Sequence, residues 1–301
     1  MTRPPAAAPS GPVLRVAVHA ACSGEVATLL RGHDAAGLLA VSAGPARDPV
    51  ALVIGTSRAD DGADVLLAAD EPLAAQVSQL WSTRLGPFAR RLAGIEPSGL
   101  GPPVLHDHDP EWPAAARRLL GRLRSGLTAR GLDDGRWTYD HIGSTAVPGL
   151  RAKHFIDLQI GAVVLPTAGS AGDEVLAQAG YRPAAGSRPD SPGVDRDGVY
   201  DPDLAPADSY RKRLYFRPDP AQPSILHVRL LGSPWWSYTV RFRDWLRASN
   251  EGRRAYQMMK EQAAAAHAHD ADFDDYTRAK GAFFREVAAA FQPPPGEDQP
   301  D

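Results

Sequence analysis

A chain of 301 residues with a formal net charge of -3 has the length for one large domain or two ordinary ones. Its 43% hydrophobic and 23% charged residues exclude wholesale disorder, and no apolar run reaches the ~18–20 residues of a membrane span. A single cysteine, Cys22, excludes an intramolecular disulfide framework, and the near-neutral balance gives no basis for general nucleic-acid binding. The expectation is a soluble, cytoplasmic α/β or α+β protein with no membrane attachment.

Residues 1–12 are rich in Pro and Ala, lack the apolar stretch of a signal peptide, and are expected to form a disordered tail. Residues 13–19 (VLRVAVH) alternate weakly as a strand does, and 23–31 read as a short helix with Ser23 at its N-cap. Apolar runs at 38–42, 50–55 and 64–68, bounded by Gly, Pro and Asp, predict three further strands. Residues 71–92 predict one long amphipathic helix on the spacing of Leu73, Val77, Leu80, Trp81 and Leu85. The Gly- and Pro-rich stretch 94–103 predicts a linker, separating a small α/β domain over 13–93 from a second domain over 104–291.

The second half opens with HDHDPEWP and a helix over 113–130, then a strand and turn over 137–149, a strand over 155–164 and a short helix over 171–179. Residues 183–208, dense in Pro, Asp and Gly, predict a long mobile loop. Strands are expected at 210–216 and 224–231, then three helical pieces from 234 to 291 with breaks near Asn250 and Asp270. The tail over 292–301 is expected to be disordered.

Four of the 33 basic residues are lysines: Lys153, Lys212, Lys260 and Lys280. A coding bias towards Arg, Ala and Pro accounts for the scarcity, yet a lysine retained in such a chain also marks a place where a compact ammonium serves better than a guanidinium fork. The segment DHIGSTAVPGLRAKHFIDLQI (140–160) concentrates the chemistry. Gly143 permits close approach of the backbone and Ser144 offers a hydroxyl to a phosphate oxygen. Lys153 can neutralise charge there, and Asp157 on the following strand can hold Mg²⁺ beside that phosphate. The alternative is an ordinary turn at Gly143 and an exposed strand residue at Asp157. The acid- and histidine-bearing clusters at 106–109, 195–203 and 267–270 are weak metal candidates, and without a G-x-S-x-G elbow or a base for Cys22 a hydrolase reading is poor.

Gly-Ser followed by an acid on the next strand resembles the signature of the polymerase-β-type nucleotidyltransferase superfamily. More specifically, residues from about 104 to 291 resemble the GrpB family. The resemblance rests on DPEWP (109–113), HIGSTAVPGL (141–150), K-x-F-I-D-L (153–158), KRLYF (212–216), LHV (226–228), FRDWLR (242–247) and the spaced Tyr256, Lys260, Tyr276 and Lys280. It implies a small mixed sheet with helices packed on it, and transfer of a nucleoside monophosphate from an NTP to a small acceptor. In that reading Asp157 holds Mg²⁺, Gln159 and His227 complete or orient the catalytic site, Gly143 and Ser144 cradle phosphates, and Lys153, Lys212 and Arg213 balance charge. Gln159 stands where the superfamily usually carries its second acid and His227 where it carries the third, so a one-metal or metal-free phosphate site is as open as a two-metal one. A hydrogen-bonded core position is the alternative for His227, and solvated strand-end charges for Lys212 and Arg213.

Residues 62–88 resemble the end of actinobacterial dephospho-CoA kinases, which are often fused to a GrpB domain. A working kinase of that kind needs G-x-x-x-x-G-K-[ST] after its first strand, because the Lys contacts the phosphates. Here AACSGEVATLL (20–30) occupies that place and no lysine precedes Lys153. The first domain is therefore expected to be a shortened relative that does not phosphorylate dephospho-CoA, or an unrelated α/β domain with a similar last helix. Two functions follow for the whole: a nucleotidyltransferase acting on a nucleotide and a small acceptor, or a non-catalytic nucleotide-binding or folding-accessory module.

Overall fold

Branched apolar runs punctuated by Gly, Pro and Asp build two separate sheets. The computed structural model describes residues 12–19, 23–44, 49–56, 62–97, 101–198 and 205–291; both tails but for residue 12, Cys22 and part of the 94–103 stretch lie outside the described residues. Strands β1 (Leu14–Val18), β2 (Leu39–Ala43), β3 (Leu52–Gly55) and β4 (Val65–Leu66) form a parallel sheet in the order β2-β1-β3-β4. All four residues of β3 are buried, as a parallel strand covered on both faces requires. Helix α1 (Ser23–His33) crosses from β1 to β2, and Leu30 and Val26 pack with Val16, Ile54 and Phe88 in one core.

The expected long helix over 71–92 is continuous but not uniform. It runs as α2 (Leu73–Leu80), a wider π turn (Trp81–Leu85) and α3 (Gly86–Leu92). Pro87 has no N–H to give back to the preceding turn, and the Gly86 N–H bonds the Trp81 carbonyl instead, which widens the helix at that point.

The second sheet has strands β5 (Thr138–Ile142), β6 (Ile156–Ala162), β7 (Arg182–Pro183), β8 (Lys212–Arg217) and β9 (Ser224–Leu230) in the order β5-β6-β9-β8-β7. Only β6 and β9 are parallel; the other pairs are antiparallel. Alternation along β6 and β9 divides the two faces. Ile156, Leu158, Ile160, Leu226 and Val228 enter a core with α4 (Trp112–Ala129) and α5 (Ala171–Gln178). Asp157, Gln159, His227 and Arg229 point the other way, towards α6 (Pro234–Ala248), α7 (Asn250–Ala266) and α8 (Asp274–Val287). Tyr238, Phe242, Tyr256 and Phe284 form an aromatic cluster between these helices. One face is thus apolar core and the other carries the polar chemistry. Both sheets bear helices, a mixed α/β architecture, and among the described residues no helix is long and apolar enough to cross a membrane.

The sheets are joined by buried charge. Asp219 accepts hydrogen bonds from Arg84 at 2.7 Å and from Arg217 at 2.7 Å, and Arg217 also donates to the Ala51 carbonyl at 2.8 Å. Arg122 of α4 pairs with Asp64 at 2.6 Å. The described part of 183–208 is tied down rather than loose: Arg188 bonds Asp272 and Asp275, each at 2.9 Å, and Asp197 is buried against β8 and β9. Its partners lie too far along the chain for local composition to signal them.

Candidate functional site

The polar face of the second sheet opens into a cavity of about 390 Å³, within the ~300–1,000 Å³ range of small-molecule sites. Asp157, Ile225 and His227 form its floor, the turn at Gly143 and Ser144 one wall, and α6 to α8 an aromatic roof that includes Trp235, Phe273 and Tyr276.

The turn follows directly from the HIGST sequence. Gly143 adopts φ 68° and ψ -166°, a region essentially restricted to glycine. A Cβ there would sit 2.8 Å from the Asp157 Cβ, so the glycine is what lets the turn close over the acid. His141 and the Thr145 hydroxyl hydrogen-bond at 3.0 Å, and burial pushes that imidazole down to about 4, so it stays neutral. Arg243 donates to the His141 carbonyl at 3.0 Å and Arg247 to the Ala146 carbonyl at 2.9 Å. These helix arginines hold the backbone of the turn. Substituting Gly143 with Ala is expected to cost about 2 kcal/mol from backbone strain alone, and more from the clash with Asp157. Urea denaturation of the variant measures this.

All four lysines of the chain converge here. Lys153, Lys212 and Lys280 line the cavity, and Lys260 reaches the Ser144 Oγ at 3.4 Å while donating to the Arg151 carbonyl. The Lys153 ammonium sits over the Phe273 ring, 3.3 Å from its centroid, and Lys280 over Tyr276 at 4.7 Å. Among the described residues neither ammonium has a hydrogen bond or a carboxylate in pairing distance. Burial, reinforced by Lys280, pushes Lys153 down to about 7, and the same two causes bring Lys260 to about 7. Burial brings Lys212 to about 8, against the pull of Asp197.

Asp157 also lacks a hydrogen-bond or ion-pair partner among the described residues, and burial pushes its carboxyl up against the opposing field of Lys153 and Lys280. His227 is not a core histidine, because it lines the cavity. Its Nδ1 lies 3.2 Å from both Lys212 Nζ and Arg229 Nη2, which can only donate, so Nδ1 accepts and the proton resides on Nε2. Burial, with Lys212 and Arg229 beside it, holds His227 well below its ordinary value and therefore neutral.

Two expected site residues do not reach the ligand space. Gln159 shares its face with Asp157 but is fully buried: Nε2 donates to the Trp236 carbonyl at 3.0 Å, and Oε1 accepts from Arg229 at 2.6 Å and Thr239 at 2.8 Å. It orients Arg229 from behind. Arg213 follows Lys212 on β8 and so points to the opposite face, its guanidinium 5.8 Å from the Tyr215 ring centroid. The group that sequence reasoning missed is Asp197, which bonds Lys212 at 2.7 Å and Arg229 at 2.7 and 3.0 Å. Tyr256 and Tyr276 also belong to the site.

Mg²⁺ prefers several oxygen ligands in near-octahedral order. Among the described residues no group of three or more His, Cys, Asp or Glu is placed to hold a metal. The Gln159 oxygen is occupied by Arg229 and Thr239, and Asp157 faces ammonium groups instead of a second carboxylate. This donor set does not fit a two-metal centre. It fits an anion.

The family model described as GrpB protein matches residues 102–290. A dephospho-CoA kinase from Mycolicibacterium paratuberculosis is 35% identical over 229 residues, covering 71% of this chain and 52% of the kinase, and the match takes in part of the N-terminal region. A dephospho-CoA kinase from Mycobacterium tuberculosis is 33% identical over 220 residues, again 71% of this chain and 52% of the relative. The chain thus spans about half the length of these curated relatives. A UPF0157 protein of Deinococcus radiodurans is 28% identical over 217 residues, covering 67% of this chain and 96% of the relative. A crystal structure of conserved protein GrpB from Enterococcus faecalis aligns with TM-score 0.41 and 18% identity, over 62% of this chain and 96% of that one. With the family model covering well over half of its length, the chain belongs to the GrpB family.

Proposed function

We propose that the cavity of the second sheet binds the phosphates of a nucleotide or a phosphorylated small molecule, using lysine ammonium groups in place of a two-metal centre. The observation that carries this reading is the convergence of all four lysines on one cavity, with Lys153 and Lys280 held by aromatic faces and, among the described residues, in no ion pair. Ser144 and the Gly143 turn offer a hydroxyl and an open backbone to the same anion. The aromatic roof suits a base or another flat apolar group.

Substituting Lys280 with Met is expected to lower ATP or ADP affinity at least tenfold by calorimetric titration, about one charge-assisted hydrogen bond. An unchanged affinity would remove this reading. The pH dependence has a definite sign. An anionic ligand favours charged Lys153 and Lys260, whose values in the free site are about 7, so above that pH binding must first restore a proton. Affinity therefore falls as pH rises from 6 to 9.

Asp157 favours a second reading, transfer of a nucleoside monophosphate to a small acceptor. An unpaired carboxylate pushed upward by burial is suited to take a hydroxyl proton. The acceptor oxygen would bond the α-phosphorus as the bond to the β-phosphate oxygen breaks, releasing pyrophosphate, with the proton on Asp157. Pyrophosphate release from ATP in a panel of small acceptors, lost in Asp157→Asn, tests it; binding without release leaves a non-catalytic module. For the first sheet we propose no kinase turnover of dephospho-CoA, since the lysine that a phosphate loop requires is absent before Lys153.

A further inference from the structure

A second cavity, about 330 Å³, lies where α3 of the first unit meets the second sheet, and nothing in the reading above uses it. Its basic lining comes from separate segments: Arg91 of α3, His106 from the stretch before α4, and Lys153 with His154 from the loop before β6. His106 is fixed in place, because its N–H and carbonyl both pair with Ala152, at 2.8 and 2.9 Å. His154 stands edge-on to it, with ring centroids 5.9 Å apart, and its Nε2 lies 3.1 Å from the Ala221 carbonyl, which makes that nitrogen the donor. Pro218, Pro220, Pro223 and Phe216 supply a stiff apolar wall.

The charges in this cavity are unbalanced. Among the described residues the Arg91 guanidinium has no hydrogen bond or ion pair, and its Nε is buried without a partner. Lys153 is held only by aromatic rings. Asp219 is the one acid on the wall, and Arg84 and Arg217 already claim both its oxygens. A guanidinium without a partner of its own is available to an acceptor on a bound ligand. Arg, His and Lys converging on a small cavity with one apolar wall suit an organic phosphate.

We propose that this junction cavity is a second binding site, for the phosphate group of a small organic molecule, with Arg91, His106 and Lys153 as its anchors. Lys153 lines both cavities, so occupation of one site is expected to weaken the other. The proposal stands independently of the nucleotide reading, since three of its four basic groups lie outside the first cavity.

The test follows the imidazole resonances of His106 and His154 in the full-length protein by proton–carbon NMR, assigned with His106→Gln and His154→Gln. The probes are inorganic phosphate and phenyl phosphate, added in a phosphate-free buffer at fixed pH. Both resonances are expected to shift saturably. Affinity should fall at least tenfold in Arg91→Gln, and fall less in Arg91→Lys, which keeps the charge without the fork. Resonances that stay still with both probes, or shift equally in Arg91→Gln, would overturn the proposal. ADP that weakens in Lys280→Met while phenyl phosphate leaves the histidines unmoved would refute this site alone, and the opposite pattern would refute the nucleotide reading alone.

Discussion

Asp197→Asn is expected to destabilise the protein by about 3 kcal/mol or more, among the largest effects of any single substitution in the second domain. Lys212 and Arg229 are each 3% exposed, and the Asp197 carboxylate bonds both. Asn keeps the shape but removes the charge, leaving a buried guanidinium and an ammonium against neutral His227. Those two cations hold Asp197 far below the usual carboxylate range despite its burial. A carboxylate depressed in the folded state contributes stability that is complete above its unfolded value near 3.8 and is lost as pH falls towards its folded value. Urea denaturation at pH 7 and at acid pH tests both halves. The wild type should lose this contribution as pH drops below about 4, whereas the variant, already lacking it, should show a shallower acid limb.

Asp219→Ala is expected to cost about 3–5 kcal/mol, by the same physics at a different joint. Arg217 and Asp219 are completely buried and Arg84 nearly so, and the carboxylate ties the helix of the first unit to β8 of the second. Without it, two guanidinium groups remain in the interior, although Arg217 retains the Ala51 and Gln222 carbonyls. The consequence differs from that at Asp197, because this joint couples the two sheets. Denaturation followed by tryptophan fluorescence and by circular dichroism should give transitions that separate in the variant and coincide more closely in the wild type. Coincident, unshifted transitions would show that the joint carries little of the coupling.

The pattern of strands and helices was open to sequence reasoning because period and punctuation are local. The apolar-polar alternation of β6, the Gly-Ser turn and the breaks near Asn250 and Asp270 all depend on neighbours within a few residues. Lysine scarcity was informative for the same reason that composition is: in a chain otherwise built on arginine, three of the four lysines line one cavity and the fourth bonds its Ser144 wall. What failed depended on tertiary partners. Lys212 and Arg213 are adjacent in sequence, and only the pairing of β8 with β9 decides which of them faces the cavity. Gln159 occupies the face expected of a ligand, but Arg229 and Trp236 take both ends of its amide. Asp197 lies in a stretch whose composition reads as mobile, and its partners are 15 and 32 residues away.

The most direct measurement of the central claim uses the chain's own scarcity. Carbon-labelled lysine gives four ε-methylene signals, all from residues in or against one cavity, so NMR of the full-length protein reports on that site with almost no background. In the free protein, two of the four are expected to titrate near pH 7, as Lys153 and Lys260 do under burial. Titration with ADP in EDTA should then move the Lys153 and Lys280 signals saturably and raise the titration midpoint of Lys153, because a bound phosphate stabilises its charged form. Lysine signals that all titrate near their ordinary value of about 10.4 and stay unmoved at saturating ADP, with and without Mg²⁺, would contradict the account.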